Sequence, residues 1–189
     1  MDIKGEQRIH ATQEKVWEAL NNPDILCLCL PGCESLEETD SNSFEAIIVT
    51  KIGPVKAKFK GAVTLSEIDS PNSYVLTGEG KGGPAGFIKG GAKVVLKSEG
   101  KSTILTYDAT AKVGGKIAQV GSRLVDMAAR KMAEDFFAKF CDVVGEPEEV
   151  SVKSGKTSSS HNIGLFGMPL YAWIASAAVV ASLVYIFAK

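Results

Sequence analysis

The stretch from residue 55 to residue 65, VKAKFKGAVTL, decides how the globular part of this chain folds. Every second residue from Val55 to Leu65 is apolar or glycine, and Lys56, Lys58 and Lys60 lie between them. Alternation with a period of two residues is typical of a β-strand that has one buried and one solvated face. We therefore predict a strand here whose apolar face covers a core.

Similar short segments lie on both sides of this stretch. SFEAIIVTKI (43–52) precedes it across the turn signal Gly53-Pro54, and YVLTGEGK (74–81), AKVVLKSE (92–99) and STILTYDATAKV (102–113) follow it. Residues 3–9, IKGEQRI, read as a further strand. Short loops between successive strands favour a single antiparallel meander.

Helical patterns occur near both ends of the globular part. Thr12 is a candidate N-cap for a short helix that stops at Asn22-Pro23, and a second short helix or turn follows in DILCLCL (24–30). A long helix is predicted from about Lys116 to Val144. Its apolar residues recur every three or four positions, at Ala118, Gly121, Val125, Ala128, Met132, Phe136 and Phe140. The fold class is therefore α+β.

We expect the predicted sheet and long helix to enclose an apolar cavity. Its inward positions, assigned by alternation and helical spacing, are Phe44, Ile48, Phe59, Leu76, Leu105 and Tyr107 on the sheet and Val125, Ala128, Met132 and Phe136 on the helix. Gly121 and Ala128 are small and leave room for a flat ring. A second stripe, Val120, Leu124 and Met127, either packs against a loop or forms the rim of the cavity.

The segment 78–91 is rich in glycine. Its first six residues match G-x-G-x-x-G literally, but no helix follows to hold a pyrophosphate, so we do not predict nucleotide binding. We expect instead a flexible hairpin with too few side chains to pack tightly. It would serve as a lid over the cavity, with Phe87 as its one large apolar residue.

Three of the four cysteines lie close together, at Cys27, Cys29 and Cys33. Their spacing does not match that of a zinc or C-x-x-C redox site, and the remaining ligands are scarce, because Cys141 is distant and His10 and His161 are the only histidines. We expect packing thiols in a reducing compartment, and no metal. No arrangement of a nucleophile with a histidine base is evident either.

Charge divides the chain into two parts. Residues 1–150 carry a formal charge of −4, whereas residues 151–189 carry +3. The overall charge of −1 gives no electrostatic footprint for nucleic acid. The row of Lys56, Lys58 and Lys60 is either a solvated sheet face or a contact with anionic lipid headgroups.

The C-terminal segment, residues 165–188, has no charged or amide side chain. A helix of this length spans a bilayer with some tilt, although a buried core helix is the alternative. We predict a globular domain at 1–146, a flexible tether at 147–164 and a single membrane anchor at 165–188. The N-terminus has no apolar signal region, and Lys153 and Lys156 precede the anchor. We therefore expect the domain on the cytoplasmic side of the cell inner membrane.

Four segments together resemble the family of the G subunit of carbon monoxide dehydrogenase, within the START-like, helix-grip superfamily. They are LPGCESLEE (30–38), IGPVKAKFKGAVTL (52–65), GEGKGGPAGFIKGGAKVVL (78–96) and VGGKIAQVGSRLVDMAARKMAEDFF (113–137). The resemblance implies a non-catalytic accessory of carbon monoxide dehydrogenase or a related molybdenum hydroxylase. It also implies recruitment of that enzyme to the lipid bilayer and a respiratory quinone as exchangeable ligand, with no covalent cofactor.

Two other functions remain open. START-like domains include aromatic cyclases, and Tyr107 is the best candidate for acid–base chemistry in an enzyme of that kind. A docking or assembly factor with a filled, ligand-free core is the third possibility.

Overall fold

The computed structural model of this chain describes residues 1–145. The predicted tether at 147–164 and the predicted membrane anchor at 165–188 lie outside these residues. Within residues 1–145, no helix is both long enough and apolar enough to cross a membrane.

Seven strands form one antiparallel sheet in the spatial order β1-β7-β6-β5-β4-β3-β2. The chain runs as a meander from β2 to β7, and β1 pairs with β7 at the far edge. The meander and the α+β class are as predicted. The strands are β1 Asp2–Ile9, β2 Cys33–Asp40, β3 Ser43–Ile52, β4 Val55–Asp69, β5 Ser73–Lys81, β6 Phe87–Glu99 and β7 Ser102–Gly114.

The sequence predictions differ from the structure at strands β2 and β6. Strand β2, CESLEETD, was not predicted, because it is mostly polar and its few apolar residues give no alternation of period two. Strand β2 pairs only with β3 and lies at the edge of the sheet, so neither of its faces has to be apolar. Strand β6 also begins at Phe87, five residues before the predicted segment.

Two short helices precede the meander, α1 at Gln13–Leu20 and α2 at Pro23–Cys29. The Thr12 hydroxyl accepts a hydrogen bond from the Lys15 backbone N–H, which confirms the predicted N-cap. Asn22 caps α2 in the same way by accepting from the Asp24 N–H at 2.9 Å. Each cap satisfies a backbone donor that the first helical turn leaves unpaired.

The C-terminal helix is two helices rather than the single one predicted. The short α3 covers Lys116–Gln119, and α4 covers Ser122–Val144. Gly121 lies between them with φ = 96°, a left-handed conformation that glycine adopts without steric cost. The break was not predicted because the apolar stripe continues through Gly121.

The inner face of the sheet carries two apolar clusters at opposite ends. The larger one joins α1, the end of α4 and the strands β5, β6, β7 and β1, with Ile9, Val16, Leu96, Leu105 and Phe140 almost completely buried. The smaller one joins Phe59, Ala85 and Ile117, with Val55, Ala57, Ile88 and Val113 packed around them.

The glycine-rich hairpin belongs to the smaller cluster. Its tip is a short 3-10 helix, Gly83–Ala85, and Ala85 is buried. Gly86 and Gly115, both with positive φ, bring two backbones together so closely that a side-chain carbon at either would collide with the other segment. The prediction of a loosely packed hairpin is therefore wrong, because its glycines permit close backbone packing.

A disulfide joins Cys27 and Cys33 and connects the last turn of α2 to the start of β2. The chain reverses at Pro31-Gly32, which brings the two Cα atoms to 5.4 Å, within the usual range for a disulfide. The prediction of packing thiols is therefore wrong for these two residues. Cys29 and Cys141 have free thiols.

We predict that Gly86→Ala destabilises the domain far more than Gly83→Ala does. Both glycines have positive φ, which costs a non-glycine residue about 1–2 kcal/mol. Only at Gly86 does the added carbon also meet backbone, at Gly114, whereas nothing lies near it at Gly83. Urea unfolding should show a loss of about 3 kcal/mol or more for Gly86→Ala and about 1–2 kcal/mol for Gly83→Ala. Equal losses would contradict the packed tip.

Candidate ligand cavity

Between the two apolar clusters, the inner face of the sheet consists of very small residues. The strand register brings them onto one face, where all keep intermediate exposure: Ala46, Gly61, Gly78, Gly80, Gly90, Ala92, Ala109 and Ala111. A surface of glycine and alanine lies low between the larger side chains of the clusters. It leaves space below any helix that the clusters support.

Helix α4 is the element above this floor. Its inward side is formed by Val125, Ala129, Met132, Phe136 and Phe140, spaced by three or four residues, with Phe140 completely buried. Among the strands, α4 comes closest to β1 and β3. It therefore passes over the central strands, where the floor is lowest.

A cavity of about 450 Å³ lies beneath the first turns of α4. Its walls are the apolar Ala111, Val113, Ala118 and Val125, and its polar groups are Lys112, Ser122 and Asp126. Met1 continues the pairing of β1 with β7 by exchanging backbone hydrogen bonds with Ala111, and it lines the cavity as well. The cavity therefore adjoins the end of β7 that extends past Met1. The volume lies within the range of about 300–1,000 Å³ that is usual for ligand sites.

The predicted cavity residues are distributed over several places in the structure. Val125 lines the cavity, while Leu76, Leu105, Tyr107 and Phe136 belong to the larger cluster and Phe59 to the smaller one. Phe44 is buried on β3, and Ile48, Val120, Ala128 and Met132 are half-buried.

Of all the predicted residues only Val125 lines the cavity, and four others lie at the surface. Gly121 is exposed at the break before α4, and its role is the turn itself. Phe87 lies on the outer face of the sheet above Gly114 and is 50% exposed. Leu124 lies next to the β3–β4 turn at Gly53 rather than next to the glycine-rich hairpin, and Met127 is 58% exposed.

Ala118 and Ala111 line the cavity and were missed by sequence reasoning. On α4, spacings of three and four residues after Val125 are equally helical, and Ala128 and Ala129 are both half-buried. Neither of these two alanines is part of the cavity wall. Ala111 could have been found from its alternation with Lys112 on β7.

Aromatic rings hold Tyr107 in place. Its ring stacks on Phe137 with centroids 5.2 Å apart, and Phe136 meets Phe137 edge-on at 5.1 Å. The Tyr107 hydroxyl lies over Gly5 of β1, where a side chain would collide with it. Tyr107 therefore packs against β1, and its hydroxyl points toward that strand.

The free thiols have no features of nucleophiles. Burial raises the pKa of both the Cys29 and the Cys141 thiol, so both stay protonated near neutral pH. The Cys141 thiol donates a hydrogen bond to the Arg8 carbonyl at 3.8 Å. Within residues 1–145 no group of three or more His, Cys, Asp or Glu side chains is placed to hold a metal ion.

The fold is that of the START-like class. It is similar to a START superfamily protein from Mycobacterium smegmatis (TM-score 0.57, 12% identity, covering 76% of this chain and 96% of the other). It is also similar to the Zhui aromatase/cyclase from Streptomyces sp. R1128 (TM-score 0.54, 12% identity, 76% and 93%). At these identities the likeness shows the fold alone.

Residues 5–145 match the family of the carbon monoxide dehydrogenase G subunit (CoxG), and the chain belongs to that family. A conserved protein from Geobacillus kaustophilus has a structure that is 33% identical in sequence, with a TM-score of 0.72. No curated protein matches this chain at a significant level.

The described residues belong to one compact unit with a hydrophobic core of its own. The match to the Geobacillus protein covers 95% of that chain and 76% of this one. We therefore expect residues 1–145 to fold as an independent unit.

We predict that only two of the four cysteines react with iodoacetamide in urea without a reductant, and that both react slowly in the native state. Cys27 and Cys33 are blocked by the disulfide, and the raised pKa of Cys29 and Cys141 leaves little reactive thiolate at about pH 8. Mass spectrometry should show native labelling of both at least about tenfold slower than in urea. Rapid native labelling of Cys141 would contradict this placement.

Proposed function

We propose that this chain is a non-catalytic, membrane-anchored accessory protein of a molybdenum hydroxylase of the carbon monoxide dehydrogenase type. It recruits the enzyme to the membrane and holds a respiratory quinone, or a similar lipophilic ligand, between the sheet and α4. The observation that carries the ligand part of this proposal is the 450 Å³ cavity with walls of Ala111, Val113, Ala118 and Val125.

The shape and chemistry of this cavity suit a flat ring with polar edges. Small residues on β7, α3 and α4 leave a low apolar space, which favours an apolar ring over bulk water. The Ser122 hydroxyl can donate a hydrogen bond to a carbonyl oxygen of a quinone at the mouth. The isoprenoid tail would leave where β7 extends beyond β1.

Family membership and sequence support the proposed partner and location. The family is named for a subunit of carbon monoxide dehydrogenase, so that enzyme or a related molybdenum hydroxylase is the proposed partner. The uncharged segment 165–188 is the proposed anchor in the cytoplasmic membrane, with the domain in the cytoplasm. A tethered domain meets a membrane-dissolved quinone at a raised local concentration without any additional contact.

The cyclase alternative depended on Tyr107. Its ring is stacked on Phe137 and its hydroxyl lies over Gly5, away from the polar groups Ser122 and Asp126 of the cavity. These contacts support a packing role for Tyr107. A ligand-free docking factor would have a filled core, which the cavity beneath α4 disfavours.

We predict that Ala111→Phe abolishes quinone binding while Ala138→Phe leaves it intact. Ala111 lies on the cavity wall at the inner face of β7, whereas Ala138 is exposed on the outward side of α4. The inward ring fills the space, at an overpacking cost of about 1–3 kcal/mol. Affinity for a short-tailed quinone, measured by fluorescence quenching, should fall at least about tenfold only for Ala111→Phe. Unchanged affinity in a folded Ala111→Phe variant would refute the cavity as the site.

We predict that Tyr107→Phe changes quinone affinity by less than about threefold, because the ring keeps its stacking on Phe137.

Organic-solvent extraction of the purified wild-type protein should yield bound quinone or lipid. A turnover activity that disappears in Tyr107→Phe would support the enzyme alternative instead.

We predict that deleting residues 165–189 releases the protein from membranes without loss of affinity for a short-tailed quinone. The proposed site lies entirely within residues 1–145, whereas the uncharged segment supplies the proposed anchor. Flotation on a sucrose gradient measures the first effect and fluorescence quenching the second. Loss of binding in the shortened protein would mean that the C-terminal segment builds part of the site.

A further inference from the structure

The outer face of the sheet carries six lysines in three directly opposed pairs. The strand register places Lys51 opposite Lys56, Lys60 opposite Lys81, and Lys89 opposite Lys112. All six are exposed, and they lie toward the end of the sheet that holds the β3–β4 turn and the glycine-rich hairpin. We call these six residues the lysine face.

Opposed like charges destabilise a sheet, so this arrangement is not explained by folding. Two of the six are compensated, because Lys60 lies 3.0 Å from Glu45 and Lys81 lies 2.9 Å from Glu79. Within residues 1–145, the other four have no carboxylate at ion-pair distance. The pKa of Glu79 is lowered mainly by its hydrogen bond from Lys81, and the charge of Lys89 contributes less.

An exposed aromatic residue lies among these lysines. Phe87 is directly opposite Lys81 on β5 and two residues from Lys89 on the same strand and face. Half of its surface is exposed, although a phenyl ring gains from leaving water. Aromatic rings beside lysines are typical of surfaces that lie at the headgroup level of a bilayer.

A shallow groove of about 940 Å³ continues from the lysine face across the outer side of β4 to β7. Gly91 forms the floor of the groove between Thr77 and Thr110, because glycine has no side chain to occupy that position. The hydroxyls of Thr64, Thr77 and Thr110 and the ammonium groups of Lys89 and Lys112 line it, together with the carboxylates of Asp2 and Glu79. Hydroxyls and ammonium groups together suit the phosphate oxygens of a lipid headgroup.

We propose that the lysine face, with Phe87 and the threonine-lined groove, is a docking surface for anionic phospholipid. The lysines approach the headgroups, Phe87 enters the interface and the groove holds a headgroup phosphate. Each lysine near an anionic leaflet strengthens binding about fivefold. The inference rests partly on the proposed membrane location, but it concerns the folded domain and can be tested without the C-terminal segment or any quinone.

The test measures partition of residues 1–145 onto vesicles by sedimentation. Vesicles of equal parts phosphatidylcholine and phosphatidylglycerol should bind the domain at least about tenfold better than phosphatidylcholine alone, with binding reduced by salt. Lys89→Gln with Lys112→Gln should weaken binding roughly 25-fold, from about fivefold for each lysine. Phe87→Ser should weaken it as well, without changing the net charge.

The matched control is Lys93→Gln with Lys97→Gln. These lysines lie on the same face of β6 but outside the lysine face, and the change in net charge is the same. The control should weaken binding less than about threefold. Removing the Lys89–Lys112 repulsion should also raise the urea midpoint, so that loss of binding is not loss of folding.

Three results would overturn the proposal. Equal effects of the two double variants would mean that binding depends on net charge and not on this surface. If the folded wild-type domain does not bind vesicles, an acidic protein surface becomes the better candidate partner for the lysine face. Displacement from vesicles by millimolar glycerol phosphate, with tight binding of that anion in solution, would assign the groove to a soluble ligand. None of these results depends on whether the cavity binds quinone.

Discussion

Helix α4 is held at its two ends, and the space beneath it depends on this. At the C-terminal end, Phe140 is fully buried with Ile9 and Val16 in the larger cluster. At the other end, the turn at Gly121 connects α4 to α3, whose Ile117 is buried against Phe59. A helix supported in this way cannot settle onto the glycine and alanine floor without displacing both clusters. Close packing of those clusters therefore maintains an open volume between them.

Most of the sheet could be predicted from sequence because its strands have one wet and one dry face, and Val55 to Leu65 shows this alternation clearly. The polar edge strand β2 has no such alternation, so it could not be recognised from the sequence. The sequence signal also fails where a glycine ends a helix without interrupting the apolar stripe, as Gly121 does. The Cys27–Cys33 disulfide depends on a chain reversal that cysteine spacing does not encode.

The candidate site was predicted in outline rather than in residues. Alternation placed Leu105, Tyr107 and Phe59 on the inner face, as the structure does. However, such large residues form the supporting clusters, while the cavity wall consists of small ones such as Ala111 and Ala118. A search for large apolar side chains therefore finds the core of this domain. The cavity is lined by small side chains, which such a search passes over. Phe87 was assigned inward because glycine density was taken for disorder, whereas the strand register places it outside.

The charged edges of the sheet limit association between copies of this domain. Edge strand β2 ends in the exposed Glu37, Glu38 and Asp40, and the opposite edge strand β1 exposes Lys4 and Arg8. Unpaired strand edges recruit further strands from neighbouring copies, and charged side chains discourage this. High concentration brings many copies of a protein close together. A domain whose sheet edges are charged in this way can be packed densely while its copies remain separate instead of joining into a fibril.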